Sequence, residues 1–263
     1  MSSKLLKGTV NCDMGESFSI YSVGDDENLM KTIHLANIAC GFHAGDFSVM
    51  NQAVIYAKEN NVLVGAHPSL PDLQGFGRRE MAIQPDELAS CFIYQVGALN
   101  GFLKRHGLLM NHIKPHGSVY GQTSRDIELA RAAVGVAKTF NDSAAQPGGI
   151  AFMGLPGTAH QQAAEELGVP FIAEWFADLN YSPEGKLLIT KIHEHIPTEE
   201  ICTRVRTLLK SRQVTTTSGS LLPMSDDISE VSICCHSDTK GAVEIAQAVK
   251  AVVEQCNREA GFV

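Results

Sequence analysis

No window of the 263-residue sequence approaches 18 consecutive apolar residues, so a membrane-spanning helix is not expected. The opening residues Met1-Ser2-Ser3-Lys4-Leu5-Leu6-Lys7 hold no apolar stretch of signal-peptide length, so a cytoplasmic location is expected. Basic clusters are missing too. With 21 Lys and Arg against 29 Asp and Glu, the net charge is −8, which repels nucleic acid and anionic membrane surfaces alike. There is no Gly-x-x-x-x-Gly-Lys-Ser/Thr loop, which excludes a P-loop NTPase, and no His-Glu-x-x-His pair. The seven cysteines are odd in number and irregularly spaced, and adjacent Cys234-Cys235 is not a zinc motif. Most sit in apolar runs, where a thiol behaves as a small hydrophobe. Seven free thiols in a reducing compartment are expected.

What is present is a set of short apolar runs that end in ionisable side chains. Val10-Asn11-Cys12 leads to Asp13 and then Glu16; Ile38 to Phe42 leads to His43; Val62 to Ala66 leads to His67. Ile113 leads to Lys114 and His116, Phe171-Ile172-Ala173 to Glu174 and Asp178, and Val231 to Cys235 leads to His236 and Asp238. A seventh run, Gly149 to Leu155, carries no such group.

Helical periodicity fills the gaps. Val49, Ala53 and Ala57 follow Asp46, a good N-cap; Phe92, Val96, Leu99 and Leu103 follow Pro85; Ile127, Ala130, Val134 and Ala137 follow Ser124. A last apolar stripe runs from Ala242 to Cys256 and stops before Gly261. Strand and helix thus alternate about seven times, which predicts one α/β domain over residues 1–263 with a closed or nearly closed parallel sheet. In such folds the C-terminal strand ends open on one face, so the ionisable groups should converge there.

Residues 68–84 read as a long polar loop of the kind that covers an active site, and residues 179–196 and 213–230 as irregular stretches, the second expected to be mobile.

Each cluster admits a chemical role. Asp13 and Glu16 suit a general base or a cation partner. His43, between Gly41 and Gly45, sits where the backbone can approach a ligand, and His67 occupies the matching place on the next strand. Lys114 and His116 point to one side by alternation, and a lysine aimed into a barrel mouth needs an anion or a developing negative charge. On that reading, replacing Lys114 should leave the fold nearly intact. Gly154-Leu155-Pro156-Gly157-Thr158 opens a helix, so Gly154, Gly157 and Thr158 form a candidate phosphate cradle.

At these residues the chain resembles the LamB/YcsF family of lactam-utilisation proteins. The resemblance rests on Asn11-x-Asp13-x-Gly15-Glu16, the run Ala36 to Asp46, Gly65-Ala66-His67-Pro68-Ser69, Phe76-Gly77-Arg78, Gln95 to Leu99, and Lys114-Pro115-His116-Gly117-x-x-Tyr120. It implies a seven-stranded β/α barrel of the glycoside hydrolase/deacetylase type. It also implies a hydrolase that opens a cyclic amide, 5-oxoproline to L-glutamate with ATP, working beside two further 5-oxoprolinase subunits. In that scheme Lys114 and His116 stabilise charge on the amide oxygen, and Asp13 or Glu16 takes the proton of the attacking water. Self-association into a homo-oligomer stays open.

Two alternatives stay open as well. Asp13, His43, His67 and His116 could ligate zinc in a divalent-metal deacetylase or hydrolase, or the chain could be a non-catalytic partner subunit. The C-terminal third departs from the family's pattern: His236-Ser237-Asp238 replaces His-Gly-Asp, Asp178-Leu179 replaces Asp-Arg, and Thr190-Lys191 stands for Pro-Arg. Losing arginines bears on how a carboxylate or phosphate is held.

Overall fold

In the computed structural model, residues 5–183, 187–188 and 196–262 are described. Thr190-Lys191, and with them part of the 179–196 stretch, lie outside the described residues. The strands are β1 (Lys7–Met14), β2 (Leu35–Ala39), β3 (Leu63–His67), β4 (Met110–Ile113), β5 (Ala151–Gly154) and β6 (Phe171–Phe176). Two short antiparallel pairs follow, β7 (Asn180–Tyr181) with β8 (Leu187–Leu188) and β9 (Gln213–Thr215) with β10 (Leu221–Pro223), and then β11 (Glu230–Cys234). Strands β1 to β6 and β11 close into a seven-stranded parallel barrel in the order β1-β11-β6-β5-β4-β3-β2. The expected α/β barrel is therefore the observed one. The 213–230 stretch departs from expectation, because β9 and β10 pair in register there from Gln213 with Pro223 to Thr215 with Leu221.

The helices are α1 (Asp26–Leu29), α2 (Phe47–Glu59), α3 (Pro85–His106), α4 (Ser118–Arg125), α5 (Ile127–Thr139), α6 (Ala159–Leu167), α7 (Thr198–Ser211) and α8 (Ala242–Ala260). Their ends follow local chemistry. Asp46 accepts from the N–H groups of Ser48 and Val49 at the start of α2, and α3 begins with Pro85 and stops at Gly107 in the left-handed region. The cap of α5 is Asp126 rather than Ser124, which belongs to α4, a short helix that periodicity alone did not separate. Among the described residues no helix is long and apolar enough to cross a membrane.

The two faces of the barrel strands differ in kind. Val10, Cys12 and Met14 of β1, Ala36 and Ile38 of β2, Ala173 and Trp175 of β6, and Val231 and Ile233 of β11 belong to the main hydrophobic core. The alternate positions carry Asn11, Asp13, Asn37, Glu174 and Ser232, all buried, and Gly65, with His112 and Lys114 at the same parity of the fourth run. By the period of two, those side chains fill the barrel interior. That interior is a hydrogen-bonded column where many barrels carry branched aliphatics. Asn37 Nδ2 donates to Asn11 Oδ1 and Asp13 Oδ1 at 2.8 Å each, its Oδ1 lies 2.6 Å from His112 Nε2, and Asn11 Nδ2 donates to Ser232 Oγ at 2.8 Å. Gly65 makes room for it, since a Cβ there would collide with the His112 ring.

Candidate active site

Lys114 sits at the top of this column, just past the end of β4, and is 2% exposed. A lone ammonium so deep in protein would be costly, and two carboxylates offset the cost. Its Nζ donates to Asp13 Oδ1 at 2.8 Å and forms an ionic contact of 2.8 Å with Glu174 Oε1. Asn11 Oδ1 at 3.4 Å and Cys234 Sγ at 3.3 Å complete its surroundings, and Tyr120 O–H donates to the other oxygen of Glu174 at 2.8 Å. Burial opposes the lysine's charge, but Asp13, Cys234 and Glu174 outweigh it and hold its pKa well above the ordinary value. Asp13 is the converse. Burial pushes its carboxyl up, yet His67 and Lys114 hold it well below the carboxylate range. Lys114 is thus an anchored counter-ion, and its burial between two carboxylates predicts a loss of stability on replacement where the sequence alone led us to expect little.

Beside it lies a nest of imidazoles. His67 Nδ1 is 2.7 Å from the Lys114 carbonyl and His116 Nε2 is 2.9 Å from the Phe76 carbonyl, while His67 Nε2 and His116 Nδ1 face each other at 2.9 Å. His67 Nε2 is 3.3 Å from Asp13 Oδ2, and Glu16 Oε1 is 3.5 Å from His116 Nδ1 and 3.2 Å from His43 Nε2. His43 stacks flat on His116 with ring centroids 3.7 Å apart. Burial drives the pKa of His43 and of His116 well below the ordinary value, with neighbouring imidazoles adding to the shift. Burial raises that of Glu16, and the Asp13 charge adds to it. Gly77, at φ +64°, lets the 68–84 loop press onto this nest, where a Cβ would meet His116, Ser69 and His43 at 2.8–2.9 Å.

A cavity of about 380 Å³ opens above these groups, lined by Asp13, His67, Lys114 and His116 together with Arg78, Arg125, Tyr120, Phe176, Leu179 and His236. Glu16 and His43 do not line it and sit buried behind the His67–His116 wall. Opposite Lys114, Asp178 accepts from the His236 N–H and ring at 2.9 and 2.8 Å. Although burial opposes it, the Asp178 charge raises His236 to about 9, so the ring is a cation at neutral pH. Arg78 pairs with Asp238 at 3.0 Å.

The departures in the C-terminal third take physical shape here. Leu179 gives the cavity an apolar wall, leaving Arg78, Arg125 and His236 as cations around it, and Ser237 Oγ donates to Glu16 Oε2 at 3.2 Å.

Six of the nine expected site residues, Asp13, Glu16, His43, His67, Lys114 and His116, therefore come together. Gly154, Gly157 and Thr158 do not line this cavity, and their turn is already occupied. Gln161 Oε1 takes the Gly157 N–H at 2.9 Å, His160 Nδ1 takes that of Leu155 at 3.3 Å, and Thr158 Oγ1 caps α6. A phosphate there would have to displace these bonds. Asn11, Asn37, His112 and Tyr120 were missed as members of the network. The alternation of polar with apolar residues inside the runs was the signal that could have found the first three. The zinc set also changes. One set of ligand atoms within 4.8 Å of one another comes from Glu16, His43, His67 and His116 and a second from Asp13, Cys234 and His236, with Asp13 Oδ1 also paired with Lys114 at 2.8 Å. Three imidazoles and a carboxylate suit a divalent transition metal.

A closed β/α barrel whose C-terminal mouth holds buried Asp, Glu, His and Lys has the form of a catalytic barrel. The LamB/YcsF family model matches residues 9–261, and the chain belongs to that family. It is 45% identical over 257 residues to the lactam utilization protein LamB of Emericella nidulans, covering 97% of this chain and 98% of that protein. It is 41% identical over 254 residues to the A-type subunit of 5-oxoprolinase from Thermococcus onnurineus, covering 95% and 94%. Among solved structures, the lactam utilization protein from Thermus thermophilus superposes with a TM-score of 0.84 at 35% identity, covering 95% of this chain and 97% of that one.

Proposed function

We propose that the chain opens 5-oxoproline to L-glutamate in an ATP-dependent reaction, as the A-type subunit of a larger 5-oxoprolinase. The observation that carries this reading is Lys114, held between Asp13 and Glu174 at the floor of a cavity that His67 and His116 also line. The family and the relatives named as 5-oxoprolinase subunits support the substrate and the presence of further subunits.

The chemistry asks for this kind of site. An amide carbon is a weak electrophile and its nitrogen a poor leaving group. Transfer of a phosphoryl group from ATP to the amide oxygen, with ADP leaving, makes the carbon open to water; the ring C–N bond then breaks with its electron pair taken by nitrogen, which gains a proton, and the acyl phosphate so formed is hydrolysed by a second water to glutamate and inorganic phosphate. Lys114 meets the negative charge building on the oxygen, and Asp13, kept ionised beside it, takes the proton from the water. His116 sits on the same wall to assist the lysine. The substrate carboxylate and the phosphates are the anions for His236, Arg78 and Arg125 around the cavity. The Gly154–Thr158 turn lies outside this cavity, whereas these cations, each beside a carboxylate (Asp178, Asp238 and Glu80), line it and are the better candidates for holding phosphate. A buried lysine held between two buried carboxylates at the cavity floor speaks against a decayed, non-catalytic barrel.

The test is ATP-coupled 5-oxoproline hydrolysis by the chain alone and with its partner subunits, reading glutamate and ADP together. Lys114→Met, assayed well below its melting temperature, should lose roughly a hundred- to a thousandfold in turnover. Wild-type turnover by that variant, or no glutamate from the assembled wild-type enzyme, overturns the proposal.

A further inference from the structure

The loop that leaves the C-terminal end of β1 carries a short hairpin that the ring-opening chemistry does not use. Phe18 and Tyr21 exchange both backbone hydrogen bonds at 2.8 Å. Below them Ser17 Oγ closes the loop, accepting from the Val23 N–H at 3.0 Å and donating to its carbonyl at 3.3 Å. At the tip Ser19 has φ +52°, in the left-handed region where tight hairpins favour glycine. A serine there is strained, and a bond from its N–H to Asp46 Oδ2 at 2.8 Å helps to hold it. The side chain that this strained turn presents is Ile20, which is 86% exposed.

The apolar surface extends beyond the tip. Tyr21 is 70% and Phe18 40% exposed, and the Asp46 bond brings the hairpin to the start of α2, where Phe47 is 77% exposed. Single apolar residues scattered over a surface are ordinary, but four on one rigid projection are not. Large aromatic side chains present about 150–250 Å² each, so the four together expose on the order of 500 Å². That is the scale of the largest apolar patches on monomeric proteins, and more than half of the about 800 Å² that each partner buries in a standard interface. The hairpin's own bonds fix its shape in advance, so covering it requires no ordering of a loop. A second copy of the chain fits it poorly. Two convex tips do not fill each other across a two-fold axis, and Asp46 at the tip and Asp25, two residues past Val23, would face their own copies on a chain whose net charge is already −8.

We propose that the Phe18–Tyr21 hairpin and Phe47 form a docking knob for a further subunit of the enzyme, one that presents an apolar groove rimmed by Lys and Arg. The identity of that occupant rests on the 5-oxoprolinase reading above, whereas the knob itself rests on exposure, rigidity and charge. Its placement suits a subunit that acts together with this chain. The loop begins directly after Glu16, past the C-terminal end of β1, so a groove seated on the knob covers the face of the barrel on which the cavity opens. Ile20, Tyr21 and Phe47 are the anchors, because a few large side chains seated in a partner's pocket carry most of the binding energy of an interface.

The test measures binding of the full-length protein to the purified partner subunits of 5-oxoprolinase by calorimetry and sedimentation, apart from turnover. Ile20→Ser and Phe47→Ser should each weaken the complex at least about tenfold, with thermal melts like wild type because both side chains face water. Leu109→Ser, an exposed apolar residue just before β4 on the opposite face, should leave binding unchanged. Raising the salt from about 0.1 M to about 1 M, which shortens the screening length from about 10 Å to about 3 Å, should weaken the wild-type complex several-fold. Hydrogen exchange on that complex needs no variant and should slow at residues 17–23 and 47–49. No complex of the wild-type protein with those subunits, undiminished binding by both folded variants, or no added protection at the hairpin overturns the proposal. So does a wild-type self-dimer that Ile20→Ser abolishes, which would make a second copy the occupant, and binding indifferent to salt overturns the basic rim. Glutamate from a complex indifferent to both substitutions removes the knob and keeps the ring-opening reading; a complex that needs the knob and forms no glutamate does the reverse.

Discussion

Replacing Lys114 by methionine removes a buried charge and leaves two others behind. The lysine is 2% exposed and its partners Asp13 and Glu174 are 7% and 1% exposed, so little water can take its place. Methionine fills much of the stem's volume, so the loss comes from the charges rather than from a cavity. Breaking a buried ion pair by removing one partner typically costs about 3–5 kcal/mol, and a chain of this size loses roughly 2–4 °C of melting temperature per kcal/mol, which gives a drop of roughly 6–20 °C. An internal control is at hand in Lys7–Glu230, a pair at 3.2 Å with side chains 42% and 47% exposed. Lys7→Met should cost no more than about 1 kcal/mol, the usual ceiling for exposed pairs. The assay is equilibrium urea unfolding followed by circular dichroism, with thermal melts beside it. Lys114→Met combined with Glu174→Gln should be less damaging than the sum of the two single changes, by about 0.5–3 kcal/mol, because the second change removes one of the stranded carboxylates. If Lys114→Met unfolds within about 1 kcal/mol of wild type, like Lys7→Met, then the lysine is not the counter-ion of the barrel interior.

His160 should make the fold acid-sensitive. Its Nδ1 accepts from the Leu155 N–H and its Nε2 donates to Thr123 Oγ1, and burial lowers its pKa from 6.5 to about 3. A depressed histidine stabilises fully above its unfolded value and loses that contribution as pH falls, so between pH 7 and 5 it costs about 2 kcal/mol. Stability of His160→Asn should fall less steeply over that range, and parallel curves would refute the assignment. Gly65→Ala places a Cβ against the His112 ring, so a loss of about 1–3 kcal/mol or more in urea unfolding is expected, and an unchanged midpoint would mean the ring can move aside. All seven cysteines are free, six of them buried and only Cys91 half-buried. A thiol reagent should find seven groups in denatured protein and at most one fast group in the native state; several fast native groups would contradict the packing.

Local rules made much of the architecture legible. Asp46 before α2, Pro85 opening α3 and Gly261 closing α8 act through bonds within a turn of their own position, so the sequence carries them directly. The apolar runs and their terminal ionisable groups likewise predicted a parallel barrel with Asp13, Glu16, His43, His67, Lys114 and His116 gathered at one mouth, though Glu16 and His43 do not line the cavity itself. The start of α5 was less legible because Ser124 and Asp126 are both good caps, and the choice depended on α4 ending between them.

Tertiary structure alone decided which groups pair. Lys114 reads from sequence as a cation that needs an anion or a developing negative charge, and barrel register supplies the partners by setting it between Asp13 and Glu174, residues 101 and 60 positions away in the chain. The Gly154–Thr158 turn reads as an anion cradle, but the side chains of Gln161 and His160 in the following helix fold back onto its N–H groups. Glu16 comes to lie against His43 and His116, while Asp13 divides its two oxygens between Lys114 and His67. Periodicity and capping are fixed by neighbours along the chain, whereas the fate of a buried charge or lone pair depends on what the closed barrel brings across to it.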